Sequence, residues 1–186
     1  QVGGDLYQLT PALDLYKLVL ALLNPRDPVC LFNLIDSNYI GIDLDIQGLH
    51  GLDREVQISK LIEVLNQYFI GKLNRNWEQI ISDTKIQPIL MLLRNIYEGC
   101  QPWFRYSDNE NEQKFYKANY ELVLEKIIKT YSVDYLTLNV IEHSMHINIM
   151  TKQEELARNV ENETDDIRVI CTTVHKAKGL EYGCVI

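Results

Sequence analysis

Cysteine is scarce and scattered in this chain. Cys30, Cys100, Cys171 and Cys184 stand far apart, with no CxxC pair among them. That spacing excludes a clustered zinc ribbon and gives no sign of a disulfide framework. The thiols therefore read as reduced, in a cytoplasmic protein. No apolar run approaches the roughly 20 residues of a membrane span, and no signal-peptide pattern is visible. Positive charge is also short. Eighteen lysines and arginines face 26 aspartates and glutamates, a net charge of −8, which argues against a surface that coats nucleic acid. Local basic sites stay open. There is no internal repeat and no low-complexity tract.

What is present is a generous apolar content, 46% of 186 residues, enough for one packed domain or a domain plus a fragment. The first residue is Gln1 rather than Met, and Ile186 ends the sequence inside an apolar run. A piece of a longer protein is the expectation.

Most of the chain reads as helix. Thr10-Pro11 supplies a capping hydroxyl and an N-terminal proline, and Asp14 suits the positive end of the helix dipole. Leu15, Leu18, Val19, Leu22 and Leu23 follow at helical spacing, and Asn24-Pro25 ends the run. Asp27-Pro28 repeats the start signal for a helix over 29–35. Residues 38–52 hold three glycines and read as loop or short turns. Asp53 opens a longer helix with Ile58, Leu61, Ile62, Leu65 and Phe69 on one face and Gly71 as its stop.

Shorter helices are expected over 77–81 and 88–97, with Gly99 as a C-terminal cap. Residues 107–114 read as an exposed acidic loop, entering a helix that carries Phe115, Ala118, Leu122 and Val123 to about Lys129. Another helix is expected over 133–148, with Leu136, Val140 and Ile141 inward. Residues 151–159 are polar helix formers, and 161–166 form an acidic connector.

After that the period changes. Residues 167–174 are β-rich, and a polar turn with His175, Lys176, Lys178 and Gly179 follows before Cys184-Val-Ile186. A strand that ends in a basic, glycine-containing turn lets backbone N–H groups and cations meet a phosphate. Glu181 adds a carboxylate able to accept from ribose hydroxyls.

Thr173-Val-His-Lys-Ala-Lys-Gly-Leu-Glu181-Tyr182 resembles motif V of the UvrD/Rep class of superfamily 1 DNA helicases, T-[LVI]-H-x-[AS]-K-G-L-E-[FY] followed by an apolar strand. At the other end, Gly3-Gly-Asp-Leu-Tyr7, Asp14 and Leu23-Asn-Pro-Arg-Asp27 resemble the entry to that family's helical "2B" insertion.

The resemblance implies a mainly α fold. A helical 2B-type insertion would span 1–165, and the edge of a RecA-like 2A motor domain would span 166–186. A small β element would form where the ends meet, Gln1-Val2 beside 169–174. It also implies the sites. Thr173, His175 and Lys178 would serve single-stranded DNA, and Gly179 and Glu181 the nucleotide. The parent would be an ATP-dependent 3′-to-5′ helicase using ATP and Mg²⁺. Leu34-Ile-Asp-Ser37 resembles the RecB/AddA-like helicase–exonuclease branch.

The resemblance stops at two places. Family insertions grip duplex DNA with a Gly-Ile-Gly turn, whereas Ser37-Asn-Tyr-Ile-Gly-Ile-Asp43 has one glycine and no basic neighbour. The Walker A loop, the Mg²⁺-holding Asp-Glu pair and the arginine finger are absent, so the fragment alone is expected to be inactive. A competing reading is a helical regulatory or protein-docking module, which the acidic balance of the body favours.

Other motifs weigh less. Glu142-His-Ser-Met-His146 places two imidazoles three residues apart with no further ligand cluster, so exposed helix histidines are expected and no metal. Trp77, Trp103, Phe104 and Tyr106, with Arg105 among them, have the chemistry to stack on bases, but core or loop anchoring is the better reading. The eleven tyrosines are scattered and carry no functional reading.

Overall fold

A computed structural model describes residues 5–151, Ser107 excepted. Eight α-helices and three short 3₁₀ turns account for most of that span. The helices are α1 (Thr10–Leu23), α2 (Pro28–Asp36), α3 (Ile46–His50), α4 (Arg54–Leu73), α5 (Trp77–Asp83), α6 (Ile89–Cys100), α7 (Glu110–Tyr131) and α8 (Leu138–Thr151). The mainly α expectation holds. Among the described residues there is no β-strand. The expected β element, the helix over 151–159 beyond Thr151 and the boundary near 165 lie outside the described residues.

Helix α1 is the centre of the body. Ala12, Leu15, Leu18, Val19 and Ala21 are fully buried and lie on more than one face. A helix apolar on several faces needs neighbours on each, and α1 packs against α2, α7, α8 and the Leu6–Gln8 turn. A second layer puts α4 against α2, α5 and α6. Its stripe of Ile58, Leu61, Leu65 and Phe69 is buried, as the i, i+3, i+4 spacing predicts. Phe69 stacks on Trp77, with ring centroids 5.9 Å apart and planes 13° off parallel. The Trp77 indole N–H reaches the Pro25 carbonyl at 3.1 Å, tying α5 to the end of α1.

Several helix ends follow the expected chemistry. The Asp27 carboxylate accepts from the Val29 and Cys30 N–H groups at 3.0 Å each, with Pro28 in the first turn. Asp53 caps α4 through the Glu55 N–H at 2.9 Å.

Others differ. Thr10 is already inside α1: the cap is Leu9, extended, with no side-chain cap bond. Gly71 lies within α4, and the helix ends at Asn74, whose φ of 53° supplies the left-handed residue. Gly99 likewise lies inside α6, which ends at left-handed Gln101. Gly99 instead marks a close approach: a Cβ there would meet the end of the Leu73 side chain, which would have to shift. Residues 110–114 are the first turns of α7 rather than loop. Asn109 caps them through the Glu112 N–H, and Glu110 and Glu112 face the positive dipole end.

The inward face of α7 is also rotated from the expected one. Tyr116, Asn119, Tyr120, Val123, Leu124 and Ile127 are buried, while Phe115, Ala118 and Leu122 are only partly so. Within 38–52 a short helix, α3, replaces simple loop, capped by Asp45 through the Gly48 N–H at 3.1 Å. Residues Val133–Tyr135 form a 3₁₀ turn, and α8 begins only at Leu138.

Candidate functional site

The residues expected to serve DNA and nucleotide, Thr173, His175, Lys178, Gly179 and Glu181, lie outside the described residues. So do Cys171 and Cys184. Helix α8, which ends at Thr151, precedes them in sequence. Helix α8 buries Ile141, Ser144 and Met145 against α1 and the Leu6–Gln8 turn. The Gln8 side-chain amide donates to the Ile149 carbonyl at 2.9 Å, across 141 positions of sequence. The first and last parts of the described body are therefore neighbours.

Glu142 and His146 sit one helical turn apart on α8 and meet Tyr16 of α1. The Tyr16 hydroxyl lies 3.1 Å from Glu142 Oε1 and 2.9 Å from His146 Nδ1. Burial, with Glu142 close by, pushes the Tyr16 phenol up to about 12, so it stays a donor at any ordinary pH. Both side chains are thus engaged in joining α8 to α1. Among the described residues no group of three or more His, Cys, Asp or Glu side chains could hold a metal ion.

The aromatic candidates are mostly anchors. Trp77 and Trp103 are buried at 2% and 5% exposure. Trp103 packs on Tyr97 with centroids 4.7 Å apart, and Lys117 lies over its ring at 4.4 Å. The Arg105 guanidinium reaches the Ile40 and Gly41 carbonyls. Tyr106 accepts from the Asn38 amide at 3.3 Å. Of these aromatic side chains Phe104 is the exposed one.

The loop over 37–43 is closed on itself. Gly41 has φ of +64°, a conformation that favours glycine, and the movable end of the Arg105 side chain occupies the space where a Cβ would stand. The N–H groups of Ile40, Gly41 and Ile42 donate to Ser37, Ile35 and Ile35 carbonyls at 3.1, 2.9 and 3.2 Å. The Tyr68 hydroxyl donates to the Tyr39 carbonyl at 2.6 Å. A turn that grips phosphate needs free donors, and these three N–H groups are already engaged.

Two features lie beyond the sequence reading, which took Asp14 only as a partner of the α1 dipole. The first is a buried acid. Asp14 sits inside the body, and its carboxylate accepts from the Tyr116 hydroxyl at 2.9 Å. Burial raises its pKa above the ordinary aspartate value, while Tyr116, Lys17 and the Asn38 N–H pull it partly back. Its neighbours Tyr39, Tyr116 and Tyr120 are themselves raised by burial. Spacing of 116, 120, 123, 124 and 127 is the helical signal for this face, hidden by the polar end of tyrosine.

The second is an apolar cavity of about 220 Å³ between α2, α3 and α4. Val29 and Phe32, Leu49 and His50, and Gln57 and Leu61 line it. Its existence depends on where α3 lies, which spacing along the chain does not give.

Among the described residues no helix is long and apolar enough to cross a membrane. Comparison of the chain with protein-family models, with curated proteins and with solved structures returns no match.

Proposed function

We propose that this chain is the helical 2B-type insertion and motif V of a UvrD/Rep-like superfamily 1 DNA helicase. The observation that carries the reading is the run Thr173-Val-His-Lys-Ala-Lys-Gly-Leu-Glu181-Tyr182, followed by Val185-Ile186. The neighbouring positions of Gln8 and Ile149 support it, because an inserted domain leaves and re-enters its host at adjacent points.

In this reading Thr173, His175 and Lys178 meet the backbone of single-stranded DNA through a hydroxyl, an imidazole and a cation, all able to donate to phosphate. Gly179 lets the turn approach the nucleotide. Glu181 accepts from the ribose, since a carboxylate facing phosphate directly would be repelled. ATP hydrolysis, with Mg²⁺, is the work of motor residues outside this chain. The closed 37–43 loop agrees with an insertion that does not grip duplex DNA by that turn.

The test is made on the full gene product. Its ATPase activity is expected to depend on single-stranded DNA. Thr173→Ala and His175→Ala are expected to raise the DNA concentration needed, and Glu181→Ala the ATP concentration needed. A product with no Walker A loop, or one whose ATPase ignores DNA, overturns the reading.

A second reading, a protein-docking module with no direct DNA contact, is favoured by one observation. Residues 5–151 carry thirteen lysines and arginines against nineteen aspartates and glutamates. Phosphate binding needs cations, and this body is short of them. A salt titration of single-stranded DNA binding by the chain separates the two readings.

A further inference from the structure

The cavity between α2, α3 and α4 is lined mainly by apolar side chains, and the segment that supplies most of that lining is acidic. Its 220 Å³ exceeds the roughly 150 Å³ that already admits benzene in an engineered protein core. An indole-sized or phenyl group fits. Val29 stands at the rim and is 65% exposed, so the apolar surface reaches solvent.

Residues 26–57 supply nearly all of the lining and carry two arginines against six aspartates and glutamates. Both arginines are already neutralised: Arg26 pairs with Glu55 at 2.6 Å, and Arg54 with Asp27 at 3.7 Å. Asp36 pairs with Lys17 at 3.5 Å.

Among the described residues Asp43, Asp45 and Asp53 have no ion-pair partner. Asp45 caps α3, whose Leu49 and His50 line the cavity. Asp53 caps α4, and its carbonyl accepts from the N–H of lining residue Gln57 at 2.9 Å. Such carboxylates favour a positive group just outside an apolar one.

We infer that this cavity is a docking site for a protein segment presenting one large apolar side chain, aromatic or leucine-like, flanked by lysine or arginine. The apolar group enters between Phe32 and Leu61. The flanking cations lie over Asp43, Asp45 and Asp53. The His50 imidazole has no hydrogen-bond partner among the described residues and offers a polar contact to the entering segment. The inference is independent of the helicase reading, since it concerns the helical body alone.

The test uses two small probes with one ring system and opposite charge, tryptamine and indole-3-propionate, titrated into the chain and followed by amide chemical shifts. Tryptamine is expected to shift residues around 28–32 and 49–57, to bind at least several-fold more tightly than the anion, and to weaken as salt rises. Val29→Arg, a change at an exposed rim position, is expected to remove binding while leaving the other amide shifts in place. Asp45→Asn with Asp53→Asn is expected to erase the preference for the cation. Failure of tryptamine to bind overturns the site, and equal binding of the two probes overturns the charge preference and with it the basic partner.

Discussion

The body's core has two chemically different halves. Around α4 and α5 it is dry: Leu61, Leu65, Phe69 and Trp77 are buried, and the one indole N–H has a carbonyl partner. Around α1 and α7 it is studded with hydroxyls and one acid. Tyr39, Tyr97, Tyr116 and Tyr120 are all buried there, the Tyr97 and Tyr120 rings lie parallel with centroids 3.6 Å apart, and Asp14 sits among them. The dry half is held mainly by apolar contact, with the Trp77 indole N–H and backbone N–H each paired. In the tyrosine half the Tyr116 hydroxyl is paired with Asp14, while the Tyr39, Tyr97 and Tyr120 hydroxyls are buried with no partner among the described residues, and an unpaired polar group inside a protein is costly.

The sharpest break is expected in the dry half. Phe69→Ala removes a ring buried against Trp77 and Leu65, and should cost about 3–5 kcal/mol by denaturant unfolding. The loss should be the same at pH 4 and pH 7, since no titrating group is involved. A smaller loss would mean that α5 collapses into the space.

Tyr116→Phe removes less volume but takes the hydroxyl donor from the Asp14 carboxylate, leaving it the Asn38 N–H. The expected cost near neutral pH is about 1.5–3 kcal/mol. Here pH matters, with a definite sign. The folded pKa of Asp14 lies above the ordinary 3.8, so folding favours the protonated acid. Its contribution to stability is fully present below 3.8 and is lost as pH rises through the raised folded value. Asp14→Asn should therefore gain stability relative to the native chain on passing from acid to neutral pH. Parallel melting curves across that range would place Asp14 outside the low-dielectric core.

The smallest effect is expected at the surface. Arg26→Ala breaks the pair with Glu55, but both side chains are mostly exposed, so the loss should stay below about 1 kcal/mol and shrink in high salt. A larger loss would show that this pair locks α4 onto the start of α2.

The helices themselves were readable where composition and spacing agree. Asp27-Pro28 and Asp53 mark starts because a carboxylate and a proline suit the first turn wherever it occurs. Leu15, Leu18 and Leu22 mark a buried helix because an apolar repeat of that period has no other stable use. Gly71 and Gly99 misled for the converse reason. Glycine permits a helix to end but does not oblige it to, and Asn74 and Gln101 take the left-handed positions instead.

The candidate DNA and nucleotide residues were legible only as a motif. Thr173, His175, Lys178, Gly179 and Glu181 draw their meaning from order and spacing along one turn, which a sequence carries intact. The acid and the cavity were not legible, because each needs residues far apart. Asp14 and Tyr116 meet across 102 positions, and the cavity opens only where α3 rests beside α2 and α4.

By itself, then, the sequence determined the helical character of the body, most of its helix starts, its acidic balance and the motif near its end. These are set by local backbone preference, period and charge. Only the tertiary structure decided that Asp14 is a buried acid rather than a dipole partner, that Arg105 closes the 37–41 loop, and that an apolar cavity exists between α2, α3 and α4. Burial and proximity are properties of packing, and packing is fixed by how helices meet rather than by any one of them.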